Sequence, residues 1–263
     1  MAKYNYEYEI KYQEVDAQKK LRLFNLENYL LEVAGTVADE LGFGIARLHP
    51  KGLTWILTRL SVEMYELPTH CQRVRFETWI ESNVHMLSTR DFRIYAEESK
   101  VESQKSKAES QKPSDISHQM SDEWRLIGVC KSVWAVLDLT KREIVNIFDD
   151  PMFEGCVDGE VIDLPRVRMT TIPEPTGFLP HKIVYSDIDY NGHCNSCRYL
   201  QAMTDAFLPD YYGKRLRLDI NYQKEAMPGE ELQTQFLITP DGVQYQQKNE
   251  HGETSCSAKL TID

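Results

Sequence analysis

Between residues 189 and 199 the chain reads Asp189-Tyr190-Asn191-Gly192-His193-Cys194-Asn195-Ser196-Cys197-Arg198-Tyr199. An acid, an amide and an imidazole stand at every second position, immediately ahead of an amphipathic stretch. In an extended segment alternate side chains project to one side. A carboxylate, a carboxamide and a ring would then converge beside the unpaired N–H groups that open a helix, a set able to hold a polarised carbonyl and move a proton. Each residue alone has a plainer reading: Asp189 as a turn residue or cap, Asn191-Gly192 as a turn, His193 as a structural histidine. A fourth candidate, Glu225, lies in Asn221-Tyr222-Gln223-Lys224-Glu225-Ala226, where a strand leaves the sheet ahead of Pro228-Gly229. Spacing alone makes it an edge carboxylate.

The same segment contains His193-Cys194-x-x-Cys197. A structural zinc site takes four ligands, usually from two such pairs, and covalent haem attachment needs the His after the second Cys. Neither pattern is complete. The six cysteines (71, 130, 156, 194, 197 and 256) are too scattered for a disulfide framework, so reduced, idle thiols are expected, with no metal and no cofactor.

Thirty Lys and Arg against 41 Asp and Glu give a net charge of −11, which argues against general binding to nucleic acid or an anionic membrane. The N-terminal residues lack the apolar stretch of a signal peptide, and no window reaches the length needed to span a bilayer. A cytoplasmic address is the expectation.

The elements that must position these residues follow from periodicity. Residues 4–15 alternate apolar and polar and predict a strand. Leu26 to Leu41 has helical spacing closed by Gly42. Strands are predicted from Trp55 to Leu67, with Ile56, Leu60, Val62 and Met64 on one face, then from Val74 to Ser82, His85 to Ala96 and Leu126 to Asp138. Glu97 to Glu123, poor in apolar residues and repeating Glu-Ser-Gln-Lys at 102–105 and 109–112, predicts a disordered insertion. A further strand from His181 to Asp187, a helix from Asn195 to Leu208, and strands at 216–225, 231–239, 243–249 and 254–261 complete the pattern.

The chain therefore divides into an N-terminal domain at 1–147, a Pro- and acid-rich linker at 148–180 and a C-terminal domain at 181–263. Tyr12-Gln13-Glu14-Val15-Asp16 aligns with Tyr185-Ser186-Asp187-Ile188-Asp189, and Leu67-Pro68 with Met227-Pro228. Each half reads strand, helix, then antiparallel strands, as a duplication would. Asp16 matches Asp189, but Gln18 and Lys20 stand where Asn191 and His193 do, and Tyr65 is near the position of Glu225. Only the second half carries the full polar set, which predicts one active site per chain.

The run from Ser186 to Asn195, with Tyr199 following, resembles the acyl-ACP thioesterases of plants and bacteria, whose motif reads Asp-x-Asn-x-His-x-Asn-Asn-x-x-Tyr. Asp189, Asn191 and His193 fall on its catalytic acid, amide and histidine and Asn195 on its first paired Asn, while Ser196 departs from the second. Tyr222-Gln223-Lys224-Glu225-Ala226 fits the family's Tyr-x-x-Glu-Cys, with Glu225 on the catalytic Glu and Ala226 in place of Cys. That replacement counts against a cysteine acyl-enzyme. The resemblance implies an α+β fold of two tandem hotdog domains, each a long helix wrapped by an antiparallel sheet. It also implies hydrolysis of fatty acyl-ACP to free fatty acid, which ends fatty acid synthesis, with the first half lining the acyl tunnel. Either Glu225 acts as base toward water or Asp189 attacks directly.

Rival readings are an acyl-CoA thioesterase of the same fold, a hotdog hydratase or dehydratase, and a non-catalytic acyl-thioester sensor. An acidic acyl carrier protein needs local basic side chains, and Arg166, Arg168, Lys182, Arg198, Lys214, Arg215 and Arg217 are the candidates. A monomer suffices for a two-domain unit, and a homodimer is compatible with it.

Overall fold

The computed structural model describes residues 3–98 and 124–263. The predicted polar insertion lies outside the described residues except for Glu97, which ends β4, and Glu98. Helix α1 (Leu23–Glu40) buries Leu23, Leu26, Leu30, Val33 and Val37, the apolar stripe of its helical spacing. It ends where Leu41 N–H bonds Val37 O and Gly42 adopts φ +81°, a left-handed conformation that glycine takes without Cβ strain. A one-turn helix α2 (Ile45–Leu48) follows. The third helix, α3 (Ser196–Ala206), is shorter than predicted and presents Tyr199, Leu200 and Met203 to the core.

Around these helices runs a single antiparallel sheet. The first half contributes β1 (Tyr4–Glu9), β2 (Leu53–Met64), β3 (Arg73–Val84), β4 (Leu87–Glu97) and β5 (Trp124–Asp138). A short β6 (Glu143–Val145) pairs only with β5. The second half contributes β7 (Gly177–Lys182), β8 (Leu216–Tyr222), β9 (Glu231–Thr239), β10 (Gly242–Lys248) and β11 (Thr254–Ile262). The sheet order is β1-β3-β4-β5-β2-β8-β11-β10-β9-β7, so the second half repeats the first in mirror sequence across the β2–β8 seam. At that seam Leu60 faces Ile220, Ser61 faces Asp219 and Val62 faces Leu218, and Ser61 Oγ donates to Asp219 Oδ1 at 2.6 Å. One hydrophobic core, with Leu30 from α1, Met203 from α3, Val62 from β2 and Ile220 from β8, joins the halves. Truncating such a residue, as in Leu30→Ala, costs about 2–5 kcal/mol.

Several predicted elements are corrected. The strand expected over 4–15 ends at Glu9 and gives way to a 3-10 turn at Tyr12–Glu14; likewise β7 begins earlier than His181, and Tyr185–Asp187 is a 3-10 turn. In both places the backbone must turn into a side-chain-pinned loop, which alternation in the sequence does not reveal. In β2 the register shifts between Leu57 and Arg59. The extra residue flips the pleat, so Leu57, not Ile56, continues the face of Leu60, Val62 and Met64 and packs on the core.

The stretch at 148–180 is strapped down rather than loose. Val157 bridges Ile80, Trp79 Nε1 donates to Glu160 O at 2.8 Å, and Ile162 N donates to Asp91 Oδ2 at 2.8 Å. Phe153, Leu164 and Ile172 are buried. Its residues from Gly177 already belong to β7. Among the described residues no helix is long and apolar enough to cross a membrane.

Candidate active site

The segment from Ile188 to Cys194 is a tight turn, not the extended run expected from the sequence. Ile188 and Cys194 bridge, Asp189 N donates to His193 O at 2.8 Å, and Gly192 N donates to Asp189 O at 3.0 Å. Gly192 takes φ +82° at the apex. The Asp189 carboxylate turns inward on its own loop: Oδ1 accepts the N–H groups of Asn191 at 2.8 Å and His193 at 3.3 Å. This is the local side-chain-to-backbone bonding that Asp favours in turns. The loop, rather than strand alternation, is what turns the amide and the ring toward the same space.

Asn191 is held from both sides. Its Nδ2 lies 3.5 Å from Asp189 Oδ2, and its Oδ1 accepts the hydroxyl of Thr54, on β2 of the other half, at 3.1 Å. Thr54 Oγ1 in turn lies 3.3 Å from His49 Nε2. Thr54 is 1% exposed, so this hydroxyl is shielded from bulk solvent.

Glu225 arrives from the end of β8. Beyond Tyr222 the chain stays tied to the sheet through Gln223 and Lys224 N–H bonds to Ser255 O. Ala226 then clamps onto the turn and the helix: its O accepts Cys194 N at 2.9 Å, and its N–H donates to Tyr199 Oη at 2.9 Å. The clamp brings Glu225 Oε1 to 3.6 Å from His193 Nδ1. Its other oxygen pairs with Arg142, from the turn between β5 and β6. Burial and then the Arg142 charge push the His193 pKa down, against an opposing pull from Asp189, which favours the neutral ring.

The four sequence candidates, Asp189, Asn191, His193 and Glu225, line one cavity of about 810 Å³. Much of the remaining wall comes from the first half, including α1 from Asn28 to Asp39 and β2 from Trp55 to Thr58, with Tyr199 and Tyr222 from the second. Asn195 caps α3, with Oδ1 accepting Cys197 N at 3.0 Å, and Asn195 O accepts Arg198 N at 2.9 Å. Two of the helix-opening N–H groups expected to be free are therefore taken. Cys194 and Cys197 are buried, and burial pushes both thiols up, Cys194 to about 12, so neither is a ready nucleophile. Among the described residues no cluster of His, Cys, Asp or Glu could hold a metal.

None of the seven basic residues proposed for a carrier protein lines the cavity. Arg215 pairs with Glu63, and Arg217 with Asp219 at 2.9 Å. The cations that do line it are Arg90, Arg142 and Lys224. Sequence reasoning missed Thr54 and Arg142 as partners of the site, which carry no local signal because their contacts cross between halves; Tyr199, the tyrosine closing the motif, was named there.

The hydrogen bonds also correct the alignment of the halves. Leu21 N donates to Pro68 O and Cys194 N to Ala226 O, both at 2.9 Å; Cys71 N donates to Ile10 O and Gly229 N to Ile183 O, again both at 2.9 Å. Pro68 is thus the counterpart of Ala226, not of Pro228, and buried Leu67 rather than Tyr65 stands where Glu225 does.

A model described as the acyl-ACP thioesterase N-terminal domain matches residues 1–109, and one described as the acyl-ACP thioesterase C-terminal domain matches residues 174–263. The oleoyl-acyl carrier protein thioesterase, chloroplastic, of Coriandrum sativum is 22% identical over 237 residues, covering 81% of this chain and 56% of that protein. The palmitoyl-acyl carrier protein thioesterase, chloroplastic, of Gossypium hirsutum is 22% identical over 278 residues, covering 97% and 59%. The chain thus spans little more than half the length of these curated relatives. An acyl-ACP thioesterase structure from Bacteroides thetaiotaomicron superposes with a TM-score of 0.80 at 27% identity, over 99% of this chain and 98% of that one. The 12:0-ACP thioesterase from Umbellularia californica shares the fold, with a TM-score of 0.78 at 16% identity over 99% and 97%. With both family models matched in order and one fold shared end to end, the chain belongs to the acyl-ACP thioesterase family.

Proposed function

We propose that this chain hydrolyses the thioester of fatty acyl-ACP, releasing free fatty acid and so ending fatty acid synthesis. The observation that carries the reading is the meeting of Glu225 and His193, 3.6 Å apart, on the wall of a cavity that continues between α1 and the sheet. In this reading residues 1–147 and 181–263 are two tandem hotdog domains joined by 148–180. The first has become tunnel wall and support, and the second carries the chemistry.

A thioester is already electrophilic, so hydrolysis needs an activated water, a stabilised oxyanion and a protonated leaving thiolate. Glu225 is the general base: Oε1 takes the proton of a water that it shares with His193 Nδ1. The neutral ring, favoured by its lowered pKa, relays that proton to the departing sulfur. Asn191 binds the carbonyl oxygen through Nδ2, because the Thr54 hydroxyl occupies Oδ1 and fixes which end of the amide faces the cavity. The Ser196 N–H, at the positive end of α3, is a second donor. Asp189 is a positioning residue. Its Oδ1 is committed to two backbone N–H groups, which disfavours attack on the carbonyl to form an anhydride.

The test is release of free thiol from matched long-chain acyl-ACP and acyl-CoA. Faster turnover of the carrier-protein substrate is expected. Turnover of acyl-CoA alone would move the reading to the CoA rival, and binding of both without turnover would make the chain a sensor.

A further inference from the structure

The first half contributes a carboxyl group that the hydrolysis above does not use. Glu27, on α1, is 1% exposed and is buried alongside Leu23, Leu26 and Leu30 of the apolar stripe. Its Oε1 accepts the hydroxyl of Tyr222, at the end of β8 in the other half, at 2.6 Å. Its Oε2 is buried with no hydrogen-bond partner, and among the described residues no cation pairs with the group. Tyr222 and Ser196 line the cavity, and Glu27 stands directly behind them.

Packing does not account for an acid at this place. The backbone bonds that align the two turns carry on into the helices and strands: Asn25 N donates to Arg22 O as Arg198 N does to Asn195 O, and the N–H groups of Tyr65 and Glu66 bond Ile127 O as those of Gln223 and Lys224 bond Ser255 O. Glu27 is thus the counterpart of Leu200, and Tyr222 that of Met64. Leu200 and Met64 are both buried in the apolar core. The fold therefore fills one copy of this place with hydrocarbon and the copy beside the cavity with an acid and a phenol. A buried acid costs stability relative to packed hydrocarbon unless its oxygens are met, and Oε2 is not met.

What the acid faces supplies a reason. The Ser196 hydroxyl and the Cys197 thiol, which open α3, are near enough to pull its pKa down, as Tyr222 does, but burial outweighs all three and raises it to about 7. The other titratable groups around it are Cys197 from α3, Tyr222 from β8, Cys130 from β5 and Cys256 from β11, and burial pushes each of them up into its neutral form. Glu27 is the member of the cluster that changes charge near neutrality. As a carboxylate at the positive end of α3 it would engage the helix dipole and repel an oxyanion forming at the Ser196 N–H. As a carboxylic acid, with its proton on Oε2 because Oε1 is taken by Tyr222, it leaves that field free. Through Tyr222 it also bears on the base: the Tyr222 ring meets the Tyr199 ring edge-on with centroids 6.1 Å apart, and Tyr199 Oη holds Ala226 N, next to Glu225.

We propose that Glu27 is a positioning residue that serves hydrolysis as the neutral acid, holding Tyr222 in place and leaving the positive end of α3 to the oxyanion, and that its ionisation slows the reaction. This rests on the thioesterase reading of the site.

The test is the pH profile of kcat for a long-chain acyl-ACP, followed as free thiol with the full chain. The native protein should lose about tenfold in kcat between about pH 6 and about pH 8.5, with a midpoint at about 7. Glu27→Gln, of the same shape and neutral at every pH, should remove this alkaline limb and outpace the native protein at its alkaline end. Tyr222→Phe withdraws a hydrogen bond that favours the carboxylate, so the limb should move to higher pH. A native profile that is flat on the alkaline side, or a limb unchanged in Glu27→Gln, overturns the proposal and leaves the hydrolase in place. Should Glu27→Gln not fold, Tyr222→Phe decides, and a limb that stays or moves down rejects the proposal. If no thioester is cleaved at any pH, the hydrolase reading falls instead, and infrared difference spectra judge the acid. A protonated-carboxyl band that titrates away through about pH 7 and is missing from Glu27→Gln supports it, and absence of that band from the native protein rejects it.

Discussion

In both halves of the molecule an aspartate opens a tight turn ahead of a helix, and the two turns share their backbone bonds. Asp16 N donates to Lys20 O at 2.9 Å as Asp189 N does to His193 O. Asp16 Oδ1 accepts the N–H groups of Gln18 and Lys20, each at 2.9 Å, as Asp189 Oδ1 accepts those of Asn191 and His193. Lys19 takes φ +64° where Gly192 takes +82°. The side chains then diverge. In the first half Tyr212 Oη bonds Asp16 Oδ2 at 2.9 Å and Gln18 Oε1 at 2.6 Å, Lys20 Nζ bonds Leu67 O at 3.1 Å, and Leu67 fills the place of Glu225. In the second half the same scaffold presents an amide, a ring and a carboxylate to a cavity. The aspartate holds the turn in both halves, and the halves differ in what stands two and four residues after it and in whether Leu67 or Glu225 fills the place beside the turn.

Making the second turn more like the first gives the largest expected effect. Glu225→Leu, which installs the first half's residue, removes the base and should lower kcat by about 10³ with the melting temperature little changed; steady-state turnover near the native value would contradict the role given to Glu225. Next come the paired aspartates. Asp16→Ala and Asp189→Ala each strand two turn N–H groups and should each lose about 1–3 kcal/mol of stability in urea unfolding. Only Asp189→Ala should also lower kcat, by about a hundredfold through a misplaced Asn191. Equal kinetic effects of the two would erase the distinction drawn between the turns.

Thr54→Val keeps the shape of the side chain but frees the Asn191 amide to flip. A fall in kcat of about tenfold is expected, with little change in KM and recovery in Thr54→Ser; no recovery would mean that the methyl group, not the hydroxyl, matters. The smallest effect is one of pH. Arg142 helps to hold the His193 pKa down, so Arg142→Ala should raise it. The neutral ring is then lost at a higher pH as the solution is acidified, and the acid limb of the kcat/KM profile should move upward. A limb that stays in place would show that His193 does not govern it.

Much of the fold was legible locally. The stripe of Leu26, Leu30, Val33 and Val37 marked α1, and alternation marked β9, whose predicted span coincides with that found. Where the pattern misled, a side chain or an inserted residue overrode it. Glu14 and Asp187 accept the N–H groups of Lys11 and Val184 and hold 3-10 turns where strands were predicted to run on, and the extra residue in β2 moved Ile56 off the core face. Proline spacing placed Pro68 opposite Pro228, and only the backbone bonds of Leu21 and Cys194 showed it to be two residues out.

Sequence alone singled out Asp189, Asn191 and His193 by type and spacing, and Glu225 only through the resemblance of its run to the family's Tyr-x-x-Glu-Cys, because both runs are short and local. Tertiary structure decided that Glu225 meets the ring of His193 and that Asn191 takes its orientation from a threonine 137 positions away. Those outcomes depend on strand pairing at the β2–β8 seam and on a clamp through Ala226. Contacts of that separation arise from closure of the whole sheet, and no local propensity encodes them.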